Sequence, residues 1–250
     1  MELLYWIDIK KINWVGLSAN PNAIKLLNEN KDRINWDLLS SNPNAIELLS
    51  KNKDKINWSR LSSNPNAYEL LSKNLDKIDW YWLSSNTNIH IIKLLSQNPD
   101  KINWYMLSKN PSAIQFLYQN KDKINWSQLS KNPNAIDLLK ENQKKINWYS
   151  LSTNPNGIEL LKLHPNKINL GLLSLNPNGI EILKRANLSI NWNYLSKNPN
   201  AIEILRVNQK KINWRNFSEN PSIFKYNINK QPDYGLDILD YILNIFKKLI

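Results

Sequence analysis

Tryptophan recurs along this chain at a fixed interval: Trp14, Trp36, Trp58, Trp80, Trp104, Trp126 and Trp148, then Leu170, then Trp192 and Trp214. Every step is 22 residues except Trp80 to Trp104, which is 24. Around each beat stands one phrase, K-I-N-W-x-x-L-S-x-N-P-N-A-I-x-L-L, written ten times. A period of this length is the signature of a solenoid, in which each unit buries its apolar face only against its neighbours. No linker interrupts the copies, so one elongated domain is expected over residues 10–230.

The second half of the phrase reads as a helix start. In Asn20-Pro21-Asn22-Ala23-Ile24-Lys25-Leu26-Leu27, asparagine is a strong N-cap and proline suits the first helical position, where its missing N–H costs nothing. Ala23, Ile24, Leu26 and Leu27 fall on one helical face. The cap column is asparagine in all ten copies, and only Thr87 replaces the proline. A second asparagine column, Asn30 and its equivalents, suggests closure of this helix in the left-handed conformation, which asparagine tolerates. His164 and Ala186 interrupt it.

The first half reads as a shorter helix. With Asn13 as N-cap, Ile12 and Leu17 occupy the two positions of a hydrophobic staple. A leucine-rich-repeat strand is excluded, because the column two before Leu17 is mostly polar or mixed. The one departure from asparagine at this cap is Asp79, itself a good cap. The sequence therefore predicts an all-α solenoid of about ten repeats. Each pairs a very short α or 3-10 helix with a two-turn α-helix, and Trp, Ile and Leu form a continuous spine.

The phrase resembles a repeat found in proteins of giant, mimivirus-like nucleocytoplasmic large DNA viruses, over about residues 10–227. That resemblance implies a viral source and no particular activity. In outline the unit is also similar to leucine-rich-variant repeats, which alternate α and 3-10 helices. Those can carry a cysteine-ligated cluster, which this cysteine-free chain cannot.

A solenoid needs covered ends. Leu3, Leu4, Trp6 and Ile7 are expected to cap the first repeat, within an N-terminal cap of residues 1–9. Residues 231–250 read as a C-terminal capping helix: Asp233 is a suitable N-cap, and Leu236, Leu239, Ile242, Leu243, Phe246 and Ile250 recur at helical spacing. The competing reading is an amphipathic anchor for a partner or membrane surface. The fourth repeat carries two extra residues, Ile89-His90, expected to form a loop or bulge on one face or else only to bend the superhelix there.

The chain has no cysteine, two non-recurring histidines and five glycines with no phosphate-binding loop. No catalytic, metal or cofactor constellation emerges, so a non-catalytic protein with no cofactor is expected. The start lacks a signal-peptide pattern and no stretch reaches the length of a membrane span. The expectation is an intracellular protein, in host cytoplasm or virion and not secreted. The formal charge of +12 points more readily to A/T-rich coding of Lys, Asn and Ile than to an anionic partner such as nucleic acid or an acidic protein.

Two surface features remain. Lys11, Arg33, Lys55, Lys77, Lys101, Lys123, Lys145, Lys167 and Lys211 place one cation in each repeat, with Ser189 the gap. Such a ridge could follow a phosphate backbone, although Asp32, Asp54, Asp76, Asp100 and Asp122 precede it in the first half. Tyr81, Trp82, Tyr105, Met106 and Tyr149, with Tyr118 on the second helix and His90 in the insertion, form an aromatic-rich candidate contact surface. They either anchor a partner or help cover the spine. The leading expectation is a scaffold for a viral or host protein; nucleic-acid binding along the ridge, or a structural role in the virion, is the alternative.

Overall fold

The computed structural model describes residues 2–186 and 190–225 of the chain. In the first repeat, Trp14–Ser18 forms one helical turn and a half. A 3-10 turn at Pro21–Ala23 then leads into the second helix, Ile24–Glu29. The all-α repeat architecture is as the sequence indicates. Asn13 Oδ1 accepts from the Gly16 N–H (2.9 Å), and Asn20 Oδ1 accepts from the Asn22 N–H (2.9 Å), so both asparagines cap as expected.

Three local expectations change. The helix after Pro21 is not continuous: its first turn is 3-10. A further 3-10 turn, Lys31–Arg33 and its equivalents, joins one repeat to the next wherever the junction is described. Pro99 and Pro165 stand at its first position. Asn30 does not take the left-handed conformation. Its φ and ψ are −133° and 56°. It closes the helix through its side chain, Nδ2 donating to the Leu26 carbonyl (2.9 Å), a bond repeated at Asn52 and Asn142. The Ile89-His90 insertion is not a bulge. It lengthens the second helix of repeat 4 to Ile89–Ser96, and Ile91 fills the buried place that alanine holds in six other repeats: Ala23, Ala45, Ala67, Ala113, Ala135 and Ala201.

The core is a set of columns. Leu17, Ala23 and Leu27 and most of their equivalents are fully buried, and Ile12 and most of its equivalents, Ile168 and Ile190 excepted, nearly so. The tryptophans are only partly buried and pack on the edge of this core rather than inside it.

Polar groups lock neighbouring repeats together. The buried Asn42 donates both amide hydrogens to repeat 1, to the Ser18 and Asn20 carbonyls (3.0 and 2.9 Å). The Asn35 N–H donates to Ser18 Oγ (2.9 Å), whose own hydroxyl donates to the Trp14 carbonyl (2.9 Å). Asn44 Nδ2 reaches the Pro21 carbonyl (2.9 Å). The asparagine and serine links recur at every junction, for example at Asn132, Asn154 and Asn198.

The same links join repeat 10 back to repeat 1. Asn20 Nδ2 donates to the Ser218 and Asn220 carbonyls (3.1 and 2.8 Å), and the Asn13 N–H donates to Ser218 Oγ (2.9 Å). Asn22 Nδ2 donates to the Pro221 carbonyl (2.9 Å). The chain is therefore a closed ring in which ten equivalent junctions divide a full turn, about 36° each. The expected N-terminal cap covers no end face. Glu2–Leu3 pairs antiparallel with Phe224–Lys225 across the joint, and Trp6 packs on Phe217 with centroids 5.6 Å apart. A Cβ on Gly16 would sit 2.6 Å from the Arg215 carbonyl oxygen, so glycine permits the close approach there. The expected C-terminal helix, with Asp233, lies outside the described residues.

In a closed ring, equivalent points lie closer together nearer the axis. The first helices of adjacent repeats approach one another, as do the Asn-Pro-Asn-Ala turns, whereas the second helices stand apart with grooves between them. The first helices are thus inner and the second outer.

The junction makes a quantitative prediction. Asn132→Leu removes the donors to Ser108 and Asn110 and the acceptor for the Asn134 N–H. Leaving those groups unpaired costs roughly 3 kcal/mol or more. Asn134→Ala, at an exposed site, costs about 1 kcal/mol or less. Denaturant unfolding of the two variants measures the difference; equal losses would contradict the ladder.

Candidate functional site

The predicted lysine ridge is present, but most of it has a structural role. Among the described residues, in seven repeats the cation lies over the tryptophan of the repeat before: Arg33 on Trp14 (4.9 Å to the ring centroid), Lys55 on Trp36 (4.7 Å), Lys77 on Trp58 (4.7 Å) and Lys101 on Trp80 (4.8 Å). Lys145 on Trp126 (4.5 Å) and Lys211 on Trp192 (4.6 Å) continue the series. Lys11 on Trp214 (5.3 Å) carries it across the joint. These are cation–π distances. Lys123 pairs instead with Asp122 (3.6 Å), and its tryptophan, Trp104, stacks on Phe116 at 5.8 Å. Where Lys167 would meet Trp148, the His164 ring lies against that tryptophan at 4.6 Å.

The sequence holds a signal for this pairing. The cation follows its tryptophan by 19 residues, or by 21 across the insertion. The one missing tryptophan, Leu170, is followed 19 residues later by the one missing cation, Ser189. Ring and cation are absent together.

The aromatic candidates divide into two groups. Tyr81, Trp82, Tyr105 and Tyr149 lie on inner helices and are 43%, 38%, 47% and 60% exposed. They share the side of those helices turned away from the outer layer, toward the axis. Tyr81 and Trp82 meet edge to face at 5.3 Å. Met106 departs from the expectation: it is 2% exposed, because adjacent inner helices close over its position. His90 and Tyr118 belong to outer helices and are not brought to the inner group. His90 lies beside Tyr68, with ring centroids 5.0 Å apart. Tyr118 carries Lys121 over its ring at 5.2 Å, and Lys121 pairs with Glu141 of the next repeat at 3.7 Å. Desolvation, then the Glu141 and Asp137 carboxylates, push the Tyr118 phenol above its usual pKa.

Sequence reasoning missed part of the axial surface. Tyr194 is also exposed there. The residue between Ser and Asn of the phrase faces the same side and brings Lys109, Lys131 and Lys197, with Glu219. Lys197 pairs with Glu219 at 2.8 Å. Lys109 and Lys131 stand near one another, and desolvation, then repulsion from Lys131, holds the Lys109 ammonium below the usual lysine range. Helical periodicity of the phrase, with Val15, Gly16 and Ala19 on one face, was the available signal.

Outer-helix charges form the surface pairs their spacing suggests: Lys162–Glu159 (2.7 Å), Lys184–Glu181 (2.8 Å), Arg206–Glu203 (2.8 Å) and Lys140–Asp137 (3.5 Å). Exposed pairs of this kind contribute little. Among the described residues no cluster of three or more His, Asp or Glu is placed to hold a metal, and no helix is long and apolar enough to cross a membrane. No protein-family model, curated protein or solved structure matches the chain.

The cation–π column is testable with the substitutions that repeats 8 and 9 already carry. Trp58→Leu with Lys77→Ser should cost less than the sum of the single variants, with a coupling of about 0.5–1 kcal/mol. A double-mutant cycle by thermal unfolding measures it; zero coupling would remove the contact's energetic role.

Proposed function

We propose that the ring is a non-catalytic scaffold that holds a protein partner on its axial side, in keeping with the resemblance to giant-virus repeat proteins. The observation that carries this reading is the arc Tyr81, Trp82, Tyr105 and Tyr149, left exposed on inner helices whose remaining faces are committed to the core. Tyrosine and tryptophan are the residue types that anchor protein interfaces. The arc stands on a closed frame, so little ordering entropy is lost when a partner docks. Arg60, Lys109, Lys131 and Arg215 on the same columns, against Asp37, favour a partner whose docking surface is acidic. A structural role in a virion would use the same surface.

Tyr81→Ala combined with Tyr105→Ala should reduce affinity capture of the partner from infected cells tenfold or more while leaving the melting temperature within about 2 °C of the parent. Unchanged capture would refute the axial site. A large fall in melting temperature would assign these rings to packing instead.

A further inference from the structure

Ring closure creates a surface that the linear sequence does not display. The 3-10 turns between repeats share one rim with the tryptophans, as the cations lying over those rings show. Around half of this rim, through Arg33, Lys55, Lys77, Lys101 and Lys123, each turn carries an aspartate beside its cation: Asp32, Asp54, Asp76, Asp100 and Asp122. Around the other half it does not. Lys144 and Lys145, Lys167, Lys210 and Lys211, and Lys10 and Lys11 occupy the described turns. Lys10 and Lys211 are 201 positions apart in sequence, yet they stand in consecutive turns because repeat 10 meets repeat 1.

These seven lysines are exposed, and none has an ion-pair partner among the described residues. The nearby carboxylates are engaged elsewhere: Glu141 with Lys121, Glu203 with Arg206, Glu219 with Lys197, and Asp8 with the Lys10 backbone N–H at 2.9 Å. An uncompensated row of cations recurring along a rigid frame, with one gap between Lys167 and Lys210, matches a polymer of regularly repeated negative charge.

We propose that this basic arc binds the phosphate backbone of a single-stranded nucleic acid. A single strand can bend along a curved rim, whereas a duplex, with a persistence length of about 150 base pairs, cannot follow one this small. The surface is distinct from the axial aromatic arc, so the two readings stand or fall separately.

The test is fluorescence polarisation with a labelled oligouridine of about 20 nucleotides at several salt concentrations. The arc variant Lys10→Gln/Lys144→Gln/Lys210→Gln removes three cations that lie over no ring. The control, Lys31→Gln/Lys53→Gln/Lys123→Gln, removes the same charge from the aspartate-balanced half. The arc variant should bind at least tenfold more weakly, with the slope of log K against log salt flattened by up to about 2, and the control less than threefold more weakly. Equal losses would mean attraction to net charge alone. No binding by the parent at low salt, tighter binding to the duplex form, or tighter arc-dependent binding of polyglutamate would each overturn the proposal, the last in favour of an acidic protein.

Discussion

The structure depends on one buried side chain per repeat. Asn20 and its nine equivalents each use both amide hydrogens and the amide oxygen in hydrogen bonds. The amide oxygen caps the turn that follows, and the two amide hydrogens reach two carbonyls of the preceding repeat. The position requires one acceptor and two donors in a planar arrangement that only a short side-chain amide supplies. Aspartate would turn acceptors toward acceptors and bury a charge; serine would be a donor short. The apolar columns supply most of the burial energy, but they are non-directional. The asparagine ladder fixes how far one repeat sits from the next and at what angle. Because that angle repeats ten times, it also determines that the ends meet.

Closure resolves a difficulty inherent in short repeats. No unit here has a helix long enough to be stable alone, and an open stack would expose an apolar face at each end. Joining repeat 10 to repeat 1 removes both faces. The joint uses the common ladder and adds three features of its own: the Glu2–Leu3 strand against Phe224–Lys225, Trp6 against Phe217, and a glycine at position 16 where a Cβ would strike backbone. The Leu4 N–H also donates to the Ile223 carbonyl (2.9 Å). Closure further sorts the surface into an axial side, outer grooves and a rim whose charge differs between its two halves, and so decides which residues can meet a partner together.

Much of this was legible in the phrase. Both cap columns could be read from residue type and spacing, and so could the Ile–Leu staple and the helix pair. What separated the two caps was visible in one substitution. Asp79 is tolerated where only an oxygen is needed, accepting from the Trp82 N–H at 3.3 Å, while the Asn20 column admits nothing else. The paired loss of Leu170 and Ser189 likewise encoded the cation–π column. Closure was not legible, because curvature arises from the difference between inner and outer spacing summed over ten junctions, and no residue type announces it. The reading of Met106 failed for a related cause: whether an inner-helix residue is exposed depends on how closely the next repeat approaches.

The central claim is that residues at opposite ends of the sequence are neighbours. Glu2 and Lys225 are cross-strand partners at an exposed site, and the chain has no cysteine of its own. Glu2→Cys with Lys225→Cys should therefore form an intramolecular disulfide under mild oxidation, since paired strands bring Cα atoms to about 5 Å. Mass spectrometry of the oxidised, monomeric fraction reads the outcome directly. Near-complete intramolecular cross-linking is the result a closed ring predicts. A monomer that keeps two free thiols, or that cross-links only between molecules, would show the solenoid to be open.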